Sequence, residues 1–141
     1  MHWLICKERT EIILLLFIWA NAFEERKEII FLSSNEDNWM IRDIMEIRTA
    51  TIADLAQIAA VEAECFPAAE AATKEEFAER IKYYGNHFWL MFEDEKLIAF
   101  VDGFVTDKSD LTDEMYERAE MHDENGAWQM IFGVNTLPEY R

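Results

Sequence analysis

Two side chains with acid–base chemistry, His122 and Glu124, lie two residues apart, just before an apolar segment that predicts a buried strand over residues 127–134. An imidazole or a carboxylate can accept a proton from a substrate, directly or through one water molecule. Both residues are therefore candidates for a catalytic general base. The alternative interpretation is that His122 belongs to the face of an amphipathic helix, because the sequence shows no partner that would orient its ring.

The two cysteines give no indication of a catalytic or metal site. Cys6 and Cys65 are far apart in the chain and have no spacing typical of metal ligands. The sequence therefore predicts no metal site and no disulfide framework. Cys65 is interpreted as a buried, reduced thiol, which favours a cytoplasmic location.

The composition is that of an acidic globular protein. The 141 residues include 13 basic and 29 acidic side chains, which gives a formal net charge of -16, and 51% of the residues are hydrophobic. This length fits a single domain with one core. The charge argues against nucleic-acid binding, which depends on clustered Lys and Arg. It favours a cationic substrate or partner, or it serves only solubility.

Residues 1–44 differ in character from the rest and are predicted to be an N-terminal extension. The apolar run at 12–20 is too short for a transmembrane helix, which needs about 20 residues, and no membrane partner is expected. Basic residues before this run and an Ala-Asn-Ala after it resemble a signal peptide, although nearby glutamates dilute the positive charge. An open alternative is translated upstream sequence, with Met40 or Met45 as the true start.

Two capping boxes predict the starts of two helices further along. In each box a threonine hydroxyl and an acidic side chain three residues later bond to free backbone N–H groups of the first helical turn. The boxes are Thr51 with Asp54, and Thr73 with Glu76. Apolar residues at helical spacing follow both boxes, and a short strand is predicted before the first, at residues 46–50.

An antiparallel hairpin is predicted after the helices, with strands over residues 87–92 and 97–106. Asp102-Gly103 interrupts the second strand and predicts a β-bulge there. The acidic segment at 107–124 is predicted to be a helix whose charges are solvated, or attract an amine beside a substrate opening. One face of this helix carries Leu111, Met115, Ala119 and His122.

The last predicted strand runs into GVNTLPEYR at residues 133–141, and this ending resembles the fourth strand of GNAT-superfamily N-acetyltransferases. The similarity covers residues 45–141 and is closest to arylalkylamine-type or small bacterial members. In that family the strand leads into a Q/R-x-x-G-x-G/A loop, whose N–H groups bind the pyrophosphate of coenzyme A. The resemblance implies an α/β (α+β) class and an incomplete GNAT fold, with a mixed, mostly antiparallel sheet and helices on both faces.

The resemblance also implies which residues bind acetyl-CoA. One strand segment matches the part that pairs with the pantetheine arm and faces the acetyl carbonyl, and one arginine matches the first position of the pyrophosphate motif. These residues are Val134, Asn135, Thr136 and Arg141. The strand itself offers only Gln129 before Asn135, and glutamine is not a base. His122 and Glu124 are therefore the candidates for the general base.

The implied activity is transfer of an acetyl group from acetyl-CoA to a primary amine of a small molecule or peptide. Because the pyrophosphate loop does not follow Arg141, the chain is expected to be a truncated form with little or no activity. The alternative is a non-catalytic binding or protein-interaction module derived from an acetyltransferase. In that case the exposed edge of the sheet is expected to form a homodimer.

Overall fold

The structure is a computed structural model that describes residues 3–6, 39–41 and 45–141. The strands within these ranges are β1 (Trp3–Cys6), β2 (Trp39–Ile41), β3 (Met45–Thr49), β4 (Phe88–Glu93), β5 (Lys96–Asp102), β6 (Val105–Thr106), β7 (Trp128–Ile131) and β8 (Gly133–Thr136). The α-helices are α1 (Leu55–Cys65), α2 (Lys74–Tyr84) and α3 (Asp113–Glu117). Every strand pair described is antiparallel. The predicted α+β class with an antiparallel sheet is confirmed.

Five strands form one sheet in the order β2-β3-β4-β5-β8, and three form a second in the order β1-β7-β6. The two sheets are joined because β6 begins soon after β5 ends, and β8 begins soon after β7 ends. Hydrogen bonds continue across the interruption, from Met130 N–H to the Phe104 carbonyl and from Phe132 N–H to the Asp102 carbonyl, both 2.8 Å. The segments β5–β6 and β7–β8 therefore act as two long, paired strands.

This strand pair contains a β-bulge at Phe132. Gly133 is the register partner of Asp102, and Phe132 also donates its N–H to Asp102, so two residues oppose one. The predicted irregularity at Asp102-Gly103 lies at the right place, but the extra residue belongs to the opposite strand. Gly103 is required because a Cβ there would lie 1.7 Å from the Met130 carbonyl oxygen.

Both predicted capping boxes are confirmed. Thr51 N–H donates to Asp54 Oδ2 at 2.8 Å and opens a short 3₁₀ turn that continues into α1. Thr73 N–H donates to Glu76 Oε2 at 2.6 Å at the start of α2. Arg48 adds two donors to Asp54, at 2.8 and 2.6 Å, and so ties the start of the first helix to β3.

Helices α1 and α2 pack on the same face of the larger sheet. Phe77 of α2 meets the rings of Phe88 and Phe100 edge-on, with centroids 6.0 and 5.7 Å apart. Glu62 of α1 contacts Asn135, the register partner of Phe100. Most of the hydrophobic core lies between these helices and the sheet. Helices on the other face stay a prediction.

The acidic segment forms a shorter helix than the sequence predicts. Helix α3 ends at Glu117, and Arg118 leaves the helical conformation, with φ -124° and ψ 82°. A helix over residues 107–124 would place many carboxylates side by side with few cations, which is destabilising. The predicted apolar face is nevertheless inward, because Met115 and Ala119 are buried in a second core cluster.

Two pieces of the first 44 residues pair with the domain, since β1 lies beside β7 and β2 beside β3. The predicted boundary at residue 44 stays a prediction. The run at 12–20 and its interpretation as a signal peptide lie outside the described residues. Within the described ranges, no helix has the length and apolar character needed to cross a membrane.

Candidate functional site

Strand β8 is the edge of the larger sheet among the described residues, with β5 as its neighbour. Leu137 N–H donates to the Ile98 carbonyl at 2.9 Å, which fixes the alternation of hydrogen bonds along the pair. By that alternation, the backbone groups of Gly133 and Asn135 point toward β5. Those of Val134 and Thr136 point toward the open edge. The segment predicted to bind acetyl-CoA therefore presents the N–H groups of Val134 and Thr136 at the open edge beside the bulge.

The Asn135 side chain faces the helices and not the open edge. It is 3% exposed, and its Nδ2 donates to Glu62 Oε2 at 2.5 Å. The other oxygen of Glu62 accepts the Ala72 N–H at 2.9 Å. The Asn135 side chain can therefore contribute to ligand binding at this edge only indirectly, by holding β8 in place.

Thr136 and Arg141 are brought together at the open edge. The Thr136 carbonyl accepts Arg141 Nε at 2.8 Å and the Cys65 thiol at 3.3 Å. The intervening turn (Pro138–Tyr140) is held against the β4–β5 hairpin by the Tyr140 hydroxyl, which lies 2.5 Å from Glu93 Oε2. Sequence reasoning placed Thr136 and Arg141 in one site but missed Cys65, which is half-buried there.

A second group of polar side chains, the histidine cluster, consists of His87, His122 and Glu124. Glu124 Oε2 lies 2.9 Å from His87 Nε2 and 3.0 Å from His122 Nε2, and it also accepts Asn86 Nδ2 at 3.2 Å. The other nitrogen of His122, Nδ1, accepts the Val105 N–H at 3.1 Å. The predicted pair His122 and Glu124 is thus in contact, and His87, from the turn before β4, is the third member of the cluster.

The donor set of this cluster, two imidazoles and a carboxylate, is also that of many metal sites. A metal-bound histidine needs a lone pair on the liganding nitrogen and a proton on the other. In His122 the backbone N–H of Val105 occupies the lone pair of Nδ1, so the proton is on Nε2, toward Glu124. These hydrogen bonds favour a proton-sharing cluster over a metal centre.

The electrostatics of the cluster make both predicted bases weak. Burial lowers the pKa of His122, although the Glu124 carboxylate opposes this effect. The pKa of Glu124 is lowered to about 2: the hydrogen bonds from His87 and Asn86 outweigh the opposing effect of burial. The general-base assignment stays a prediction, and these contacts favour a structural role for both residues.

The histidine cluster and the open edge of β8 are separate. His122 is bonded to Val105 of β6, whereas Val134 of β8 is the register partner of Val101. Four residues along a strand span about 13 Å. The structure therefore brings the catalytic candidates together and brings the cofactor-binding candidates together, but it does not join the two groups.

A buried ion pair beneath the bulge was missed by sequence reasoning. Arg80 Nη1 donates to Asp102 Oδ2 at 2.9 Å, and Asp102 is 1% exposed. Burial raises the pKa of Asp102 despite the opposing charge of Arg80. Arg80 lies on an amphipathic helix, where an arginine is usually solvated, so only the packing of α2 on β5 reveals this pair.

No protein-family model and no curated protein matches the chain. Among solved structures, the loading GNATL domain of CurA from Lyngbya majuscula is similar, with a TM-score of 0.59 and 23% identity, covering 67% of this chain and 49% of that one. The GphF GNAT-like decarboxylase in complex with isobutyryl-CoA has a TM-score of 0.59 and 26% identity, covering 67% of this chain and 50% of that one. The fold is GNAT-like.

The resemblance read from GVNTLPEYR is thereby confirmed at the level of the GNAT fold. This chain spans about half the length of the two matched GNAT-like structures. A shared fold does not identify acetyl-CoA as the donor or an amine as the acceptor.

Proposed function

We propose that this GNAT-like chain is part of a domain that binds an acyl-CoA and transfers the acyl group to a primary amine. The proposed donor is acetyl-CoA, so the group transferred is acetyl. The observation that carries the proposal is the open edge of β8, which begins directly after the bulge. The outward N–H groups of Val134 and Thr136 can pair with the amides of a pantetheine arm, as an added strand would. The GNAT-like neighbour that holds isobutyryl-CoA supports an acyl-CoA as the ligand class.

In the proposed reaction the amine attacks the thioester carbonyl, a C–N bond forms and the C–S bond breaks. A backbone N–H aimed at the carbonyl oxygen stabilises the charge that develops there. The amine loses a proton and the leaving thiolate gains one. Because Glu124 is a weak base, we expect the free amine to react, so that activity rises with pH toward the pKa of the amine and Glu124→Gln retains most of it.

Decarboxylation is a second candidate, favoured by the neighbour that is described as a decarboxylase. Both reactions begin with an acyl-CoA at the same edge. Decarboxylation of an α-carboxyacyl-CoA, such as malonyl-CoA, breaks a C–C bond and releases CO₂. The enolate that remains takes up a proton from water, and the thioester stays intact. Acyl transfer consumes the thioester and needs an amine.

The test uses the 141-residue protein and two variants at one position. Val134→Pro removes an N–H that points to the open edge and leaves the hydrogen bonds to β5, whereas Val134→Ala keeps that N–H and trims the exposed side chain. We expect calorimetry to show binding of acetyl-CoA or isobutyryl-CoA to the wild type and to Val134→Ala. Val134→Pro is expected to bind at least about tenfold more weakly, because it loses one hydrogen bond to the ligand and a tenfold change corresponds to about 1.4 kcal/mol.

Thiol release with a panel of amines, and CO₂ release from malonyl-CoA, separate the two reactions. Amine-dependent thiol release supports acyl transfer, and CO₂ release without thiol release supports decarboxylation. Equal affinity of Val134→Pro and wild type would contradict the assignment of the β8 edge, provided that circular dichroism shows both proteins folded. Absence of binding by the wild type would contradict the proposal for this chain.

A further inference from the structure

We propose that the histidine cluster is an acid-sensitive clamp, which holds the loop around residues 122–126 to the sheet at neutral pH and loosens it when the imidazoles take up a second proton. This inference is argued first from hydrogen-bond geometry and is independent of the proposed acyl-CoA chemistry.

One carboxylate oxygen joins the loop to the turn that precedes β4. Glu124 Oε2 receives His87 and Asn86 from that turn, and His122 from its own loop. His122 then bonds through Nδ1 to Val105 of β6. The backbone also holds the loop to β6, because Asp123 N–H donates to the Val105 carbonyl at 2.8 Å. The side chains of His122 and Glu124 add the further links, to the Val105 N–H and to the turn before β4, and only these links depend on the imidazoles.

The second proton of His122 has no place in this arrangement. In the neutral ring the proton lies on Nε2 and the Val105 N–H occupies Nδ1. Protonation of Nδ1 would place two donors against each other, 3.1 Å apart, with the ring side chain only 9% exposed. The bond to Val105 must therefore break when His122 becomes a cation.

His87 likewise has no acceptor for a second ring proton. Its Nε2 faces Glu124, so a further proton must go to Nδ1. That atom is buried and has no hydrogen-bond partner in the described part of the chain. A buried donor without an acceptor is unfavourable, so the hydrogen bonds of the cluster leave no acceptor for a proton on His87 Nδ1.

The groups around the rings determine the sign of the effect. Glu124 and Asp123 favour the His122 cation, whereas burial and the neighbouring His87 disfavour it, and burial is the largest effect. The rings also face Tyr84 of α2, Phe104 and Trp89, which carry no charge at neutral pH. Because the unfolded chain binds the His122 proton more readily, stability falls as pH drops below about 6.5, the ordinary histidine pKa.

The experiment measures amide hydrogen exchange at pH 7, 6 and 5, corrected for the intrinsic exchange rate. The Val105 amide reports the bond to His122, and the Met130 amide, which donates to Phe104, is the matched control in the same strand pair. His122→Asn keeps an acceptor at the position of Nδ1 without a titratable ring, and His87→Gln keeps the donor toward Glu124. In the double variant His2 remains as a background histidine.

For the wild type we expect the protection of Val105 to fall by up to about tenfold per pH unit on acidification, the limit for one proton. The Met130 amide is expected to change less, and the double variant to show no such fall between pH 7 and 5. Constant Val105 protection in the wild type, or an equal fall in the double variant, would overturn the proposal.

Two measurements on the wild type keep the test decisive if a variant fails to fold. Nitrogen-15 NMR of the rings is expected to place the single proton of both His87 and His122 on Nε2 at pH 7, and a proton on either Nδ1 would overturn the proposal. Zinc alone is expected not to raise the melting temperature. A zinc-dependent increase would show that the rings are metal ligands and not a proton-sensitive clamp.

Discussion

The Arg80–Asp102 pair and the histidine cluster lie along the same long strand pair, and each sets a carboxylate against nitrogen donors. Asp102 is 1% exposed and meets a guanidinium that stays charged at all accessible pH values, whereas the Glu124 side chain is 52% exposed and meets two imidazoles. The first arrangement holds charge out of water, and the second holds titratable rings beside a half-exposed carboxylate. We therefore expect the first to dominate stability and the second to dominate its dependence on pH.

The largest expected effect tests the first half of this comparison. Arg80→Met leaves Asp102 as a buried carboxylate without its cation and is expected to lower the free energy of unfolding by about 3–5 kcal/mol. Arg118→Met is the matched control, because Arg118 is half-exposed and pairs with Glu114 and Glu120 at the surface. Its cost is expected to stay below about 1 kcal/mol in urea unfolding. Equal costs for the two variants would contradict the comparison.

The next effect sharpens the comparison by adding a titratable group to the buried region. Asn135→Asp places a second carboxyl against Glu62 Oε2 and is expected to cost about 2 kcal/mol at pH 7. Two adjacent carboxyls raise the pKa of one of them, so the cost is expected to shrink at pH 5, where they share a proton. Urea unfolding at both pH values measures the difference. Asn125→Asp, in an exposed loop, serves as control and is expected to be neutral at both.

The smallest effect concerns Glu124. Its folded pKa of about 2 lies below the ordinary glutamate value, so it contributes stability that is present above about pH 4.5 and lost as pH falls toward 2. Glu124→Gln is expected to lose this acid dependence. Because the side chain is half-exposed, the cost at pH 7 is expected to be below about 1 kcal/mol. Thermal unfolding of both proteins between pH 2 and 7 checks the result, and parallel curves would contradict it.

Much of the fold could be predicted from local patterns. The capping boxes at Thr51 and Thr73 require only residues within one helical turn, and the hairpin requires only alternation and a charged turn. The β-bulge was predicted at Asp102-Gly103 because these residues interrupt the strand pattern and glycine relaxes the backbone. Its assignment to the wrong strand shows the limit, since a bulge is a relation between two strands and not a property of one.

The candidate sites could be predicted less well, because their partners are distant in the sequence. His122 and Glu124 are neighbours and were found, but His87 joins them from 37 residues away from Glu124. Glu62 and Asn135 are 73 residues apart, and Arg80 and Asp102 are 22 apart on different elements. Residue type indicates that such groups can do chemistry. Only the packing of α1 and α2 on the sheet determines which of them meet.

The second core cluster gives the molecule a built-in spectroscopic probe. Met115 and Met130 are buried there with Tyr84 and Phe104, and the rings of Phe104 and Phe132 meet edge-on at 4.9 Å. Methyl groups held beside aromatic rings have resonances displaced by ring currents, and the displacement depends on where each methyl lies relative to a ring. Methionine methyl NMR therefore reports the packing of α3 against β7 without any engineered label.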